Sequence, residues 1–309
     1  MEVSIPVLSP RYVVVHYHTF KNAGTTIENI LEREFPGQFA TLHGQGMNAV
    51  LDAGDVLEFL HRHPGVRAIS SHHLRYPKPR SRRMVFFDCC FLRNPLSRLH
   101  SCYKHFRRSN SDDLCSRWAR SYTPREFVTR LIHEAPQLVS EVQVTQLAGA
   151  GIFTRPADER DLEQATGVLR DMAFPGLVEM FDESLVVAEY FLRPAFPAIR
   201  LEYVAQNVSH PGRYAAVESR EYWEELWGKD LYQRLLQMNQ MDLELVRRAK
   251  CEILRRLDRV PRVSERVTDL QWRCARLAAA PGHPEPERMS PLTAAATEEA
   301  RPLRMAAGH

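Results

Sequence analysis

The stretch from Arg11 to Glu34 restricts this chain more than any other. Residues 11–17 (Arg-Tyr-Val-Val-Val-His-Tyr) are β-branched and aromatic and predict a buried strand. A turn follows at 19–24, and residues 25–34 then place Ile27, Ile30 and Leu31 at helical spacing, stopped by Pro36-Gly37. A strand, a Gly-bearing turn and a helix in such quick succession open a parallel α/β unit, because parallel strands must be joined by a crossover. The rest of the pattern agrees. It predicts helices at 47–61, 96–106 (opened by Pro95), 124–134, 140–148, 157–172, 183–192 and 229–257, and strands at 66–70, 84–92 and 177–179. Strands separated by helices predict an α/β fold, a P-loop-like parallel sheet flanked by helices on both faces. One domain is expected over 1–260 and an extension over 261–309. From about 280 Pro, Ala, Glu and Arg dominate without periodicity, which predicts a disordered tail.

Composition narrows the partners. A net charge of +3 with no basic, aromatic-interleaved stripe predicts no nucleic-acid partner. No run approaches the ~20 apolar residues of a membrane span, and the N-terminus lacks a signal-peptide stretch, so a soluble, cytoplasmic protein is expected. The six cysteines form no Cys-x-x-Cys pair and no zinc-finger spacing with His, which predicts neither a disulfide framework nor a metal centre.

Chemistry concentrates in the first turn. Gly24 permits close backbone approach, and the amides of Gly24, Thr25 and Thr26 open the helix toward an anion, aided by the helix dipole. Lys21 stands on the same loop, and only five of the 41 Lys and Arg side chains are lysines. The loop is not a Walker A motif, since Lys21 precedes the Gly by three residues and the leading Gly is missing. Taken alone, it also fits an ordinary strand–helix turn with a Thr cap.

A second anion site is expected about seventy residues on, where Arg93 ends the 84–92 strand with a fork of donors suited to phosphate. Ser101 lies on the next helix, near enough to share that phosphate. A proton acceptor is expected from His72-His73, which end the 66–70 strand, because an imidazole is suited to proton transfer near neutral pH. His16 and His18 flank the first loop, and His100 and His105 lie on the helix after Arg93. Arg75, Lys78, Arg80, Arg82 and Arg83 follow the His pair and suit either an acidic acceptor or a solvated loop.

Lys21-Asn22-Ala23-Gly24-Thr25-Thr26 resembles the Lys-x-Ala-Gly-Thr-Ser/Thr loop of sulfotransferases that use 3′-phosphoadenosine-5′-phosphosulfate (PAPS). It is closest to the carbohydrate branch with the heparan-sulfate 2-O- and 6-O-enzymes and bacterial relatives. Thr19-Phe20 stands where that branch usually has Ile-Pro. The segment from Leu92 to Tyr103 is similar to the family's Leu-Arg-Asp/Asn-Pro-x-x-Arg-x-x-Ser-x-Tyr motif, with Arg93 and Ser101 matching its 3′-phosphate ligands and Arg98 a supporting Arg. The resemblance implies a sulfotransferase fold with PAPS held by residues 21–26, Arg93 and Ser101, and no metal. It also implies Lys21 at the leaving group and His73, spaced from Tyr76 as in Gly-His-x-x-Tyr, as base ahead of His72. The acceptor would be a hydroxyl-bearing small molecule or saccharide. Two other functions fit the same loops: nucleotide-dependent phosphoryl transfer, for which Asp88 is misplaced inside its strand, and non-catalytic binding of PAPS or its product PAP.

Overall fold

The computed structural model describes residues 10–46, 49–149, 155–204, 219–280 and 294–295. Its centre is a parallel sheet of five strands, β1 (Arg11–Tyr17), β2 (Phe39–His43), β3 (Ala68–Ser71), β4 (Met84–Leu92) and β5 (Phe174–Leu177), in the order β5-β4-β1-β3-β2. A two-residue strand, β6 (Ala294–Ala295), pairs with the outer edge of β2. Val13, Val14, Val15 and Tyr17 of β1 are wholly buried, as expected of a parallel strand covered on both faces. β1 lies between β4 and β3, with Val15 opposite both Asp88 and Ile69.

The flanking helices begin with α1 (Gly24–Glu34) and α2 (Ala53–Arg62). Between β4 and β5 come α3 (Pro95–Arg108), α4 (Leu114–Ser121), α5 (Pro124–Glu134), α6 (Val142–Ala148) and α7 (Glu159–Asp171). After β5 follow α8 (Phe181–Leu192), α9 (Arg220–Trp227), α10 (Lys229–Met238), α11 (Gln240–Leu257) and α12 (Val263–Ala279). α1 carries the chain outward from β1 past β3, and α2 brings it back. With right-handed crossovers these two helices lie on opposite faces of the sheet. Besides the sheet core, Leu99, Phe127, Trp223, Trp227 and Leu235 pack α3, α5, α9 and α10 into a second apolar cluster.

Four features depart from the sequence pattern. The single helix expected over 229–257 is broken at Asn239, which is fully buried and bonds back to the Leu235 carbonyl. There the Glu141 carboxylate accepts from the amides of Met241 and Asp242, so a new helix starts where the old one would have continued. The helix expected from 47 begins at Ala53, where Asp52 and Asp55 form a capping box; residues 47–48 lie outside the described residues. The strand expected at 177–179 runs instead over Phe174–Leu177 and gives way to a 3₁₀ turn. β2, α4, α9 and α12 are elements that the sequence pattern does not lead us to expect. α12, within the stretch read as an extension, packs on α8 through buried Leu270 and through Arg273, which donates to Glu189 at 2.9 Å. The tail expected to be disordered lies outside the described residues from 281 onward, β6 apart. All six cysteines are free, and no helix among the described residues is long and apolar enough to cross a membrane.

Candidate functional site

The strand order places a ligand crevice. The connection leaving β1 runs toward β2 and the one leaving β4 runs toward β5, in opposite directions, so the carboxyl ends of these neighbours part at a topological switch point. The two sequence-predicted loops leave those two strands. They share a cavity of about 340 Å³, lined by His18, Phe20, Lys21, residues 23–26, His72, Arg93, Ser101, His105 and Val178. No carboxylate among the described residues lines it.

The first loop is shaped for an anion by its backbone. Lys21 (φ 68°) and Ala23 (φ 61°) adopt left-handed conformations on either side of Asn22, whose amide donates to the Thr19 carbonyl at 3.2 Å and closes the turn. Ala23 gives α1 no side-chain cap and no acid stands in its first turn, so the amides of Gly24 and Thr25 have no acceptor within the helix, while that of Thr26 donates to the Ala23 carbonyl at 3.0 Å. Burial holds the Lys21 ammonium below its ordinary range, and the neighbouring Arg93 and Arg108 add to this against Cys102. Phe20 packs edge-on against His105 and His72, at 5.4 and 6.0 Å between ring centres, walling one side of the cavity.

Arg93 joins the two loops directly, its guanidinium donating to the Lys21 carbonyl at 3.1 Å. Behind them Gln143, fully buried, accepts from the Arg93 amide and from the Asn22 side chain, both at 2.8 Å, and donates to the Arg93 carbonyl. Its own amide and carboxamide bond Asp242 at the start of α11. Asn22 therefore sits behind the loop as an anchor, its nitrogen also bonding the Phe91 carbonyl, and does not line the cavity. Arg98 is likewise buried structure, donating to the Leu138 carbonyl. Gln143 is not among the residues the sequence reading singled out; a glutamine between Val142 and Val144 on a short apolar helix was the available signal.

The histidine pair divides. His72 lines the cavity, and its Nδ1–H donates to the His18 carbonyl at 2.9 Å, which leaves the lone pair on Nε2. His73 stands outside it: its Nδ1 accepts from the Gly44 amide at 2.8 Å, which puts its proton on Nε2. Burial, with His18 beside it, pushes the His72 pKa down to about 4, so its ring is neutral at pH 7. The expected preference for His73 is thus not matched by its position, because the turn after β3 aims consecutive side chains into different surroundings.

Next to His72 lies a closed polar chain. Glu28 accepts from His18 Nδ1 at 2.9 Å and from Ser70 Oγ at 2.8 Å, and Ser70 in turn pairs with His16 Nδ1 at 2.9 Å. Ligand atoms of His16, His18 and Glu28 lie within 4.8 Å of one another, a spacing open to a metal ion, while His16 Nδ1, His18 Nδ1 and Glu28 Oε1 are engaged in these hydrogen bonds. Burial alone would raise the Glu28 pKa; the bonds from His18 and Ser70 bring it down to about 2.

Two further candidates lie elsewhere. Asp88 is buried within β4 and accepts from Tyr76 Oη, Lys78 Nζ and the Ala173 amide, so it ties a loop to the sheet. Of the basic segment, Arg75 folds onto the carbonyls of His72 and Leu74, and Lys78 pairs with Asp88. Arg80, Arg82 and Arg83 are exposed at the start of β4, whose nine residues separate them from Arg93 by about 30 Å. They do not border the cavity.

No family model matches the chain. It is 27% identical over 242 residues to an uncharacterized protein of Archaeoglobus fulgidus, an alignment that takes in 76% of this chain and 94% of that protein.

Proposed function

We propose that the chain is a PAPS-dependent sulfotransferase of the P-loop-like sulfotransferase fold, transferring a sulfuryl group to a hydroxyl acceptor such as a saccharide. The observation that carries this reading is the convergence of Lys21 and Arg93 on one carboxylate-free cavity, over an uncapped helix start. Residues 23–26 would hold the 5′-phosphosulfate by backbone amides and hydroxyls, and Arg93 with Ser101 the 3′-phosphate. Such a transfer depends on alignment and charge stabilisation. The acceptor oxygen forms a bond to sulfur as the bond from sulfur to the bridging oxygen breaks. The acceptor proton passes to His72 Nε2, and the charge left on the phosphate of PAP is met by Lys21. Among the described residues no carboxylate borders the cavity, and the valences of Asp88 are used elsewhere, which favours this reading over metal-assisted phosphoryl transfer.

The test is calorimetric titration with PAP, followed by incubation of the protein with ³⁵S-labelled PAPS and a panel of sugars, phenols and lipids. PAP should bind, ATP should not compete at equal concentration, and label should move to one acceptor class. Lys21→Ala should keep the fold and lose transfer. A wild type that ignores PAP would end the proposal, and binding without transfer to any acceptor would favour a silent nucleotide-binding protein.

A further inference from the structure

Three imidazoles stand in a row from the sheet into the cavity. His16 stacks on His18 at 5.2 Å between ring centres, and His18 lies against His72 at 3.6 Å. Each is fixed by a directed hydrogen bond. The Ser70 hydroxyl donates to Glu28, so its oxygen accepts from His16 Nδ1–H; His18 Nδ1–H donates to the same carboxylate; His72 Nδ1–H donates to the His18 carbonyl. Every ring in the row is therefore set in the Nδ1–H tautomer, and the order begins at one ionised carboxylate on α1. Gly24 lets the His18 ring sit there, since a Cβ at that position would lie 1.7 Å from His18 Nε2.

We propose that Glu28 is a positioning residue for the proton acceptor His72, acting through the His18 imidazole. This rests on the sulfuryl-transfer reading and adds a role that reading does not need. Bonded through Nδ1 to Glu28, the His18 ring cannot flip without losing that bond, so it offers a fixed flat face and a fixed carbonyl to His72. The Glu28 charge also lies where it favours an imidazolium on His72, partly offsetting the burial and the repulsion from His18 that oppose it. The other groups bearing on His72 are His16, His73 and Arg75, the last through a bond to the His72 carbonyl. A base that gains its proton during transfer needs such a counter-charge behind it.

Two measurements test this on the full chain. ¹⁵N-histidine NMR of the ligand-free wild type should show His18 and His72 protonated on Nδ1 and His73 on Nε2. Glu28→Gln keeps one acceptor oxygen for His18 but removes the charge. It should bind PAP within twofold of wild type and lower transfer at saturating PAPS by roughly tenfold, a fraction of the ~10²–10⁴ a general base supplies. The acid limb of its pH–rate profile should move to lower pH, and Glu28→Asp should recover part of the rate. A His72 proton on Nε2, or a Glu28→Gln variant with wild-type rate and profile, overturns the positioning role even where PAP binds. Failure of the wild type to bind PAP removes the sulfuryl-transfer reading itself, and the positioning role with it.

Discussion

Replacing Gly24 by Ala sets two physical effects against each other. Gly24 opens α1 with an ordinary backbone, and in an exposed helix interior the change would gain up to about 1 kcal/mol from helix propensity. Here the added Cβ would lie 1.7, 2.0 and 2.3 Å from Nε2, Cδ2 and Cε1 of His18, far inside contact distance. The ring has nowhere to slide, being bonded to Glu28 at 2.9 Å and faced by His72 at 3.6 Å. Losing a hydrogen bond to a charged partner costs about 1.5–3 kcal/mol, and overpacking a filled site about 1–3. The clash outweighs propensity, and a net loss of about 2–5 kcal/mol is expected. Urea unfolding followed by circular dichroism should show the midpoint falling by about 1 M or more. In a His18→Ala background the same change should be neutral or mildly stabilising, since the obstacle is gone. A Gly24→Ala variant as stable as wild type, or more so, would refute the placement of His18 and with it the ordered row of imidazoles.

Other outcomes follow from the same geometry. Glu141 is buried beside Asp242, and burial with that neighbour pushes its pKa up to about 7, so folding takes up a proton that the unfolded chain releases near 4.5. The stability it contributes is complete below about pH 4.5 and is lost as pH rises through 7, by about 2–3 kcal/mol. Glu141→Gln should therefore gain on wild type by that amount between pH 5 and 8 in urea titrations, and a pH-independent difference would contradict it. Asp88→Ala strands Tyr76 Oη, the Lys78 ammonium and the Ala173 amide together and should cost about 3–5 kcal/mol by the same assay. Arg93→Lys should weaken PAP binding by roughly 10- to 100-fold in calorimetry, because a single ammonium cannot both reach the Lys21 carbonyl and fork onto a phosphate.

Where the chain alternates apolar and turn residues strongly, the fold could be read directly. The bounds of β1, β4 and α5 coincide with their sequence patterns, since buried β-branched runs and a Pro-opened, Thr-capped helix leave little choice. The break at Asn239 could not be read, because it depends on Glu141, almost a hundred residues away, capping the second helix. The site divided in the same way. Lys21, Gly24 and Arg93 announced themselves by residue type at strand ends, whereas the direction in which His72 and His73 point is set by a turn whose bonds to His18 and Gly44 are tertiary. Glu28 reads in sequence as one more charge on a surface helix, and only the packing of α1 over β1 and β3 brings it to His18 and Ser70.

The wiring of Gln143 has one more consequence. A single carboxamide that does not line the cavity holds the ends of β1 and β4 at a fixed separation, and it is itself clamped to the first turn of α11. The spacing between the two loops proposed to grip phosphate is thus a calibrated span, like the gap of a caliper. Any change that shifts α11 should disturb both jaws at once, so under the proposed function selectivity for nucleotides of different length should respond to changes at the rear of the molecule that leave every cavity-lining residue intact.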